Sequence, residues 1–305
     1  FAEIVLGKYN PRRLVIFSRD ELKQQQMAER IRDPRLRFFI GDVRDLPRLS
    51  RAMDGVDIVV HAAALKQVPA CEYNPFEAVK TNILGAQHVI EAAIDRQVQK
   101  VIALSTDKAV NPVNLYGATK LCAEKIFVQA NTYAGHQRAR MSVVRYGNVV
   151  ASRGSVVPTF LDQRENGYVT VTDERMTRFW MTLEQGVEFV VRCVELMQGG
   201  EIFVPKIPSM RVPDLARAIA PDAEIRLIGI RPGEKVHELL IAEDEARQAL
   251  EFDEMFVIEP VDPSWGYTPL AVGRPLPTGF RYTSDTNNRW LSVEELREML
   301  AVNAG

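Results

Sequence analysis

Short apolar runs alternate with segments of helical periodicity through about the first two-thirds of the chain, and this alternation limits the fold more than any other feature. The runs are typical of buried strands and lie at residues 14–17, 38–40, 57–60, 101–104, 142–144 and 201–204. Helical patterns separate them at about 20–31, 45–53, 75–96, 116–134 and 182–197. This rhythm predicts βαβ units, and therefore an α/β fold with a Rossmann-type doubly wound parallel sheet.

The composition changes after residue 204, where proline becomes frequent. We expect a Rossmann domain in residues 1–150 together with about 180–205. We expect a smaller C-terminal subdomain in residues 151–180 and 206–305, packed on the carboxyl edge of the sheet. The stretch 260–290 has few periodic residues and is predicted to run over the surface. A last helix over about 292–300 should begin after Ser292, with Glu295 at the capping-box position.

The beginning of the chain departs from the usual dinucleotide-binding pattern. Such folds open with a strand and a Gly-rich turn that holds the pyrophosphate. This sequence opens at residues 1–6 with what reads as the helix after that turn. Because the first strand of such a sheet is central, we expect an N-terminal strand and Gly-rich loop to be missing from this chain. The alternative is a complete chain whose sheet starts at Leu14.

Composition argues against several classes of function. The formal net charge is −2, so the chain lacks the excess of positive charge expected of a nucleic-acid-binding protein. It has no apolar run of membrane-spanning length and no signal peptide, so we expect no membrane partner and a cytoplasmic location. Three scattered cysteines indicate a reducing compartment rather than a disulfide framework. The four histidines have no metal-ligand spacing, and we predict no metal.

The residues best suited to chemistry follow the strand at 101–104. Asp107 and Lys108 come directly after it, and Tyr116 and Lys120 lie four residues apart, so they share one face of a helix. A lysine cation lowers the pKa of a nearby phenol from its usual value of about 10 and makes phenolate a usable base. These residues suit hydride transfer with protons moving nearby. The alternatives are a coincidence on a surface helix and a solvated salt bridge in a turn.

The end of the strand at 14–17 is where the adenosine ribose would be read. Ser18 and Arg19 come first there, and Lys23 follows one helical turn later. An arginine grips a phosphate with two hydrogen bonds and a lysine adds charge, which favours the 2′-phosphate of NADP over the 2′-hydroxyl of NAD. Asp20 and Glu21 complete this candidate set. The alternative is a capped helix start in which both acids complement the helix dipole.

Two further strand ends are candidates for contact with the cofactor. Asp42 and Val43 end the strand at 38–40, where a carboxylate and backbone groups could meet the adenine. Ala62 and Ala63 follow the strand at 57–60, and their small side chains would let the backbone approach the cofactor. Each segment can also be read as an ordinary turn or as close packing.

An ordered series of motifs resembles those of the extended short-chain dehydrogenase/reductases. These motifs lie at residues 17–24, 37–45, 61–66, 104–108 and 116–120. Further motifs at 145–149, 152–158, 175–180 and 231–235 resemble, more narrowly, the inverting UDP-N-acetylglucosamine 4,6-dehydratases, the first enzymes of pseudaminic acid synthesis. The resemblance covers nearly the whole chain and departs only at the absent Gly-rich turn. It implies a tightly held NADP, a UDP-N-acetylglucosamine substrate and a homo-oligomer.

The resemblance also implies roles for individual residues. Tyr116 is expected to be the base at the sugar C-4 hydroxyl, aided by Lys120, which also binds the nicotinamide ribose. Thr106 would hydrogen-bond the C-4 oxygen, Lys108 would be the base at C-5, and Asp107 would be the acid at C-6. These last two roles require a neutral lysine and a neutral carboxyl, and we expect burial against the sugar to favour both.

Other motif positions imply binding residues. Val149 is expected at the cofactor. Cationic, amide and apolar contacts to the UDP-sugar are expected from Lys66, Asn148, Arg153, Val157, Arg175, Arg178, Arg231 and Glu234. Arginine suits a diphosphate because it donates two parallel hydrogen bonds. The alternative for each arginine is a surface ion pair, which contributes little stability.

Three rival functions share parts of this pattern. A UDP-hexose 4-epimerase needs the tyrosine and lysine but no acid and base at C-5 and C-6, so the Asp107–Lys108 pair disfavours it. The retaining dehydratases often carry methionine at the position of Tyr116. A non-catalytic NADP-binding regulator would tend to lose the catalytic residues, and all of them are present here.

Overall fold

A computed structural model describes residues 1–135, 139–150, 156–261, 263–270 and 273–302. The strands are β1 Leu14–Ser18, β2 Leu36–Ile40, β3 Ile58–His61, β4 Lys100–Thr106, β5 Arg140–Tyr146, β6 Asn148–Val149, β7 Tyr168–Val171, β8 Thr177–Met181, β9 Ile202–Pro205, β10 Ser209–Arg211, β11 Glu224–Leu227, β12 Leu239–Ile241, β13 Ala249–Glu251, β14 Met255–Ile258, β15 Arg274–Pro275 and β16 Tyr282–Thr283.

The helices are α1 Ala2–Lys8, α2 Glu21–Arg30, α3 Leu46–Ala52, α4 Val68–Tyr73, α5 Pro75–Val79, α6 Gly85–Asp95, α7 Leu115–Ala134, α8 Val156–Arg164, α9 Leu183–Leu196, α10 Val212–Ile219, α11 Glu243–Ala246 and α12 Val293–Val302. A π-helical turn, Lys80–Leu84, joins α5 to α6, and a 3₁₀ turn, Asp107–Ala109, follows β4. No helix in these described ranges is long and apolar enough to cross a membrane.

The main sheet has seven strands in the order β15-β13-β14-β9-β5-β4-β3. Strands β3, β4, β5 and β9 run parallel, and β14 and β13 extend the sheet in antiparallel pairing. Strands β1 and β2 pair in parallel as a separate sheet. All six strands expected from the apolar runs form, and the predicted α/β fold with a Rossmann-type parallel sheet is confirmed. The strand expected before Phe1, and the division into two domains, stay predictions.

The continuous apolar runs are explained by burial on both faces of the sheet. Successive side chains of a strand point to opposite faces. Accordingly, Val101 and Ala103 belong to one core with α6 and α7, while Ile102 and Val144 belong to another core with α9. Helices therefore cover both faces at β4 and β5, which is the doubly wound arrangement. This packing fixes the carboxyl ends of the central strands at one edge.

A second group of elements surrounds its own core. Strands β6, β8 and β10 form one sheet and β7 pairs with β11. Trp180, Phe160, Leu215 and Leu296 are buried among these strands and helices α8, α10 and α12. This core places β8 and the segment before β12 beside the end of β4.

A buried ion network joins strand β5 to helices α7 and α11. Arg145 on β5 is fully buried and donates to Glu124 of α7 and to Glu245 of α11, at 2.5 and 2.9 Å. It also donates to the backbone oxygen of Leu240, at 2.9 Å. A guanidinium needs several acceptors to be buried without a large cost, and here it has them. The network fixes α7 against β5.

The C-terminal part corrects one expectation and confirms another. The stretch 260–290 is not only a surface segment, because Trp265, Tyr282 and Ser284 are buried. Short pieces of this stretch pack separately against the rest of the protein, so its sequence shows no helix or strand periodicity. The capping box at α12 is confirmed, since the Glu295 carboxylate accepts from the Ser292 backbone N–H at 2.8 Å and the Ser292 hydroxyl accepts from the Glu295 N–H at 3.2 Å.

Candidate active site

The turn after β4 places two ionisable side chains at the carboxyl edge of the sheet, where ligands bind in open α/β folds. The Thr106 hydroxyl donates to Asp107 Oδ1 at 2.8 Å and accepts from the Lys108 backbone N–H at 3.3 Å. Asp107 is almost fully buried. The threonine therefore orients the carboxyl and begins the turn.

Lys108 lies between two carboxylates. Its Nζ donates to Asp107 Oδ1 at 3.0 Å and to Glu238 Oε1 at 3.2 Å. Arg178 Nε is 3.5 Å from the same oxygen of Glu238. The sequence analysis did not single out Glu238, which lies 130 residues from Lys108 along the chain. Only its place just after the motif at 231–235 could have drawn attention to it.

The charges of this cluster set the protonation states. Burial raises the pKa of Asp107, and the negative charge of Glu238 raises it further. Burial alone would lower the pKa of Lys108, but Asp107 and Glu238 outweigh it and the net direction is upward. The upward direction for Asp107 is the one expected for a carboxyl that acts as an acid. The upward direction for Lys108 is opposite to the one expected, because the expectation left out the second carboxylate.

Tyr116 stands in the first turn of α7 and is largely buried. Burial raises its pKa, and the opposing effects of Lys108 and Thr106 are smaller. The expected lowering of this pKa is therefore wrong in direction. Lys120 is also buried and donates to the Leu104 backbone oxygen at 2.7 Å, and burial lowers the pKa of this lysine to about 8.

The start of α7 is held closely against the turn after β4. The Asn114 side chain caps the helix by accepting from the Gly117 N–H at 2.8 Å, and it donates to the Gly233 oxygen at 2.8 Å. A Cβ on Gly117 would come within 2.1 Å of the Lys108 backbone oxygen. Lys235 Nζ donates to the Val110 oxygen at 2.5 Å. The segment before β12 is thus fastened to the same turn as Lys108.

The residues expected at the adenosine ribose cluster at the end of β1. Arg19 Nη1 contacts Asp42 Oδ2 at 3.3 Å. Asp20 caps α2 by accepting from the Lys23 N–H at 2.9 Å, and its other oxygen contacts Lys23 Nζ at 2.7 Å. The Ser18 hydroxyl accepts from the Asp20 N–H at 3.3 Å. The capping alternative for Asp20 is therefore correct, and the cofactor contacts of the set stay predictions.

The other residues expected at the cofactor lie at neighbouring strand ends. Glu21 is exposed at the first position of α2, and Ala62 and Ala63 are exposed just after β3. Val43 is buried, and its backbone oxygen contacts His88 Nδ1 at 3.2 Å. Val149 lies on β6. All except Val149 follow β1, β2 or β3.

Two of the residues expected at the substrate are available for contacts. Lys66 is exposed after β3. Asn148 Oδ1 is buried and accepts no hydrogen bond from the residues that the structure describes. A buried unpartnered oxygen is costly, so a ligand donor would stabilise it. Ser105 Oγ, at the end of β4, is in the same state.

Two of the arginines expected at the substrate, Arg175 and Arg178, already have side-chain partners. Arg175 forms two hydrogen bonds to Asp173, at 2.7 and 2.9 Å. Arg178 donates to the backbone oxygens of Thr177 and Val236, at 2.7 and 3.1 Å. Arg231 is exposed, and its N–H donates to Glu234 at 3.4 Å. Their contacts with substrate stay predictions.

Val157 and Arg153 are the remaining residues expected at the substrate. Val157 packs in the core around α8 and is only 4% exposed, so the structure supports core packing rather than a side-chain contact with substrate. Arg153 lies outside the described residues. Over the described ranges, no three His, Cys, Asp or Glu side chains lie where they could hold a metal ion.

Comparison with known proteins identifies the family. A sequence profile of the polysaccharide biosynthesis protein family matches residues 2–260. The chain belongs to this family. Within the polysaccharide biosynthesis protein family, it is 52% identical to the UDP-N-acetylglucosamine 4,6-dehydratase (inverting) of Campylobacter jejuni, over 98% of this chain and 92% of that protein. It is 43% identical to the UDP-glucose 4-epimerase of Rickettsia conorii, over 93% of this chain and 85% of that protein.

Two solved structures share the fold of this chain. Pen from Bacillus thuringiensis superposes with a TM-score of 0.91 at 40% identity, covering 99% of this chain and 94% of Pen. DesIV, a dTDP-glucose 4,6-dehydratase from Streptomyces venezuelae, superposes with a TM-score of 0.68 at 21% identity, over 77% of this chain and 81% of DesIV, and supports the fold alone. The resemblance found in the sequence is confirmed.

The close contact at Gly117 gives a testable prediction. Gly117→Ala should lower the free energy of unfolding by about 1–3 kcal/mol, because the new Cβ would force the backbone oxygen of Lys108 away. Urea denaturation measures this change. The matched control is Gly186→Ala in α9, whose new Cβ would have its nearest neighbour at 3.7 Å, an ordinary contact. Equal stability of the two variants would contradict the assigned packing.

Proposed function

We propose that this chain is a configuration-inverting UDP-N-acetylglucosamine 4,6-dehydratase, a lyase that removes water from its nucleotide-sugar substrate. The observation that carries the proposal is the pair of buried Asp107 and partly exposed Lys108 at the end of β4, with Nζ and Oδ1 3.0 Å apart. The identity of 52% to the Campylobacter jejuni enzyme, over 98% of this chain, supports it. The product would be a UDP-4-keto-6-deoxy-hexosamine.

The chemistry explains why an acid and a base must stand together. The proton on C-5 of a hexose is not acidic until C-4 becomes a ketone. A bound nicotinamide dinucleotide supplies the acceptor for the C-4 hydride and returns that hydride to C-6. The protein must then provide a base at the C-4 hydroxyl, a base at C-5 and an acid at the C-6 hydroxyl.

Tyr116 is the group proposed to take the proton of the C-4 hydroxyl. Because burial raises its pKa, the phenolate needs nearby positive charge. Lys108 provides such a charge in the structure, and Lys120 lies one helical turn further along α7. Thr106 is proposed to orient the C-4 oxygen, consistent with its position between β4 and the turn.

Asp107 and Lys108 are proposed to carry out the elimination. Burial and the charge of Glu238 raise the pKa of Asp107, which favours a carboxyl that can give a proton to the departing C-6 hydroxyl. Lys108 is charged in the structure, so it must release a proton before it can take one from C-5. The acceptors within hydrogen-bonding distance of its Nζ are Asp107 Oδ1 and Glu238 Oε1.

The residues at the sheet edge fit a dinucleotide. Arg19 and Lys23 are about half exposed at the end of β1, and small residues follow β3. We propose that these two cations, with Ser18, select NADP. The exposed Arg231 and Lys66, with Glu234 and Asn148, are proposed to meet the UDP-sugar.

The main test separates the candidate functions by product. Incubation with NADP and UDP-N-acetylglucosamine should yield a product that has lost the mass of one water molecule. A product of unchanged mass would indicate the epimerase, which the Rickettsia conorii relative keeps open. Absence of turnover despite NADP binding would indicate a regulator.

A variant pair tests the role of Lys108. Lys108→Ala should lower the rate of water loss by about a hundredfold or more, since the base at C-5 is removed. Lys125→Ala, the same change at an exposed position of α7, should leave the rate unchanged. Mass spectrometry of the product measures both, and thermal melting checks that each variant folds. Wild-type turnover by Lys108→Ala would contradict the assignment.

Cofactor choice gives a further prediction. Arg19→Ala should weaken NADP binding by about tenfold to a hundredfold, because a hydrogen bond to a charged group contributes about 1.5–3 kcal/mol. Binding of NAD should hardly change, since NAD lacks the 2′-phosphate. Isothermal titration of the wild type and of Arg19→Ala, each with NADP and with NAD, measures these affinities. A wild-type preference for NAD would overturn the proposal of NADP.

A further inference from the structure

Glu238 is a buried carboxylate at the site for which neither the sequence motifs nor the expected chemistry gave a role. It immediately precedes β12 and is 2% exposed. Its Oε1 accepts from Lys108 Nζ at 3.2 Å, and Arg178 Nε lies 3.5 Å from the same oxygen. A buried carboxylate with two cationic neighbours is well stabilised as an anion.

The position of Glu238 is fixed by its backbone. Its N–H donates to the Ser284 hydroxyl at 2.9 Å, and its carbonyl oxygen accepts from the Ser284 N–H at 2.9 Å. Ser284 is fully buried. Lys235, three residues before Glu238, is fastened to the Val110 oxygen. Ser284 holds the backbone of Glu238, and Lys235 holds the residues just before it. Together these contacts keep the Glu238 carboxylate beside Lys108.

The charges around the two carboxyls differ. The titratable and charged groups facing Glu238 are Lys108 and Asp107 from the turn after β4, Arg178 from β8, and Lys235 from its own segment. Asp107 forms a salt bridge to Lys108 only, among the residues that the structure describes. Of the two carboxyls, Glu238 has more positive charge near it and is the better anion.

Each carboxyl also has a free oxygen. Asp107 Oδ2 and Glu238 Oε2 are buried, and neither forms a hydrogen bond with the described residues. Two carboxylates that share one ammonium group cannot both ionise cheaply in a buried site. This favours a proton on the carboxyl with less positive charge near it, which is Asp107. A protonated Asp107 would present a hydroxyl donor at Oδ2, for which the described residues offer no acceptor.

We propose that Glu238 is a positioning residue that acts as the counter-ion of Lys108 and thereby leaves Asp107 free to hold the proton that the reaction consumes. The proposal rests on the proposed dehydratase function for its catalytic meaning. Its structural content, the location of one proton and one negative charge, can be measured without turnover.

Infrared spectroscopy of the free protein tests the location of the proton. Near neutral pH the wild type should show a protonated carboxyl band that disappears in Asp107→Asn, which assigns the band. Glu238→Gln should lose the same band, because Asp107 then becomes the only carboxylate paired with Lys108 and ionises. Glu243→Gln, at an exposed position, should keep the band. A band that persists in Glu238→Gln, or no Asp107 band in the wild type, would overturn the proposal.

Kinetics of the same variants test the consequence for the reaction. Glu238→Gln should lower kcat by about a hundredfold with little change in KM for UDP-N-acetylglucosamine. Removing the negative charge lowers the pKa of both Asp107 and Lys108. Both limbs of the pH–rate profile, the acid limb and the alkaline limb, should therefore move to lower pH by about one unit or more. A merely structural role would lower kcat without moving either limb.

Two comparisons keep the outcomes separate. Glu238→Asp restores the charge on a shorter side chain and should recover the infrared band and part of kcat. It also serves if Glu238→Gln does not fold. A wild type that shows the Asp107 band but forms no dehydrated product would contradict the proposed function and leave the charge assignment intact. A fully active Glu238→Gln with an unshifted pH profile would contradict the inference and leave the function intact.

Discussion

The contact of partly exposed Lys108 with the two buried carboxyls of Asp107 and Glu238, at the end of β4, is the constraint on which the rest of the site depends. Burying such groups costs several kcal/mol for each ion unless opposite charges and hydrogen bonds meet closely. The contacts at 3.0 and 3.2 Å meet that requirement only if the segment before β12 stays against the turn after β4. The same packing of these two segments therefore stabilises the cluster and assembles the site.

Other features of the fold serve this contact. Because Gly117 has no side chain, α7 can approach the Lys108 carbonyl closely, which brings Tyr116 beside the turn after β4. The buried Arg145 holds α7, β5 and α11 in one network behind the site. Arg178 on β8 links the core around α8, α10 and α12 to Glu238. That core is thus joined to the main sheet where Asp107, Lys108 and Glu238 meet.

Much of the fold could be predicted from the sequence because strands and helices of a doubly wound sheet leave local patterns. The apolar run at 101–104 and the spacing of Tyr116 and Lys120 are signals of this kind. Glu238 could not be found in this way, since its meaning comes from Lys108, 130 residues away in the chain. The pKa direction of Tyr116 depends on burial, and that of Lys108 depends on Asp107 and on that same carboxylate. Val157 and the stretch 260–290 also depend on tertiary packing, which no local period records.

The central claim is that an acid and a base at the end of β4 act on C-6 and C-5 of a nucleotide-bound hexosamine. Proton NMR of the product formed from UDP-N-acetylglucosamine in deuterated water tests it most directly. The account predicts a 4-keto-6-deoxy sugar that carries deuterium at C-5 with inverted configuration. A product with retained configuration, or with the original proton at C-5, or changed only at C-4, would contradict it.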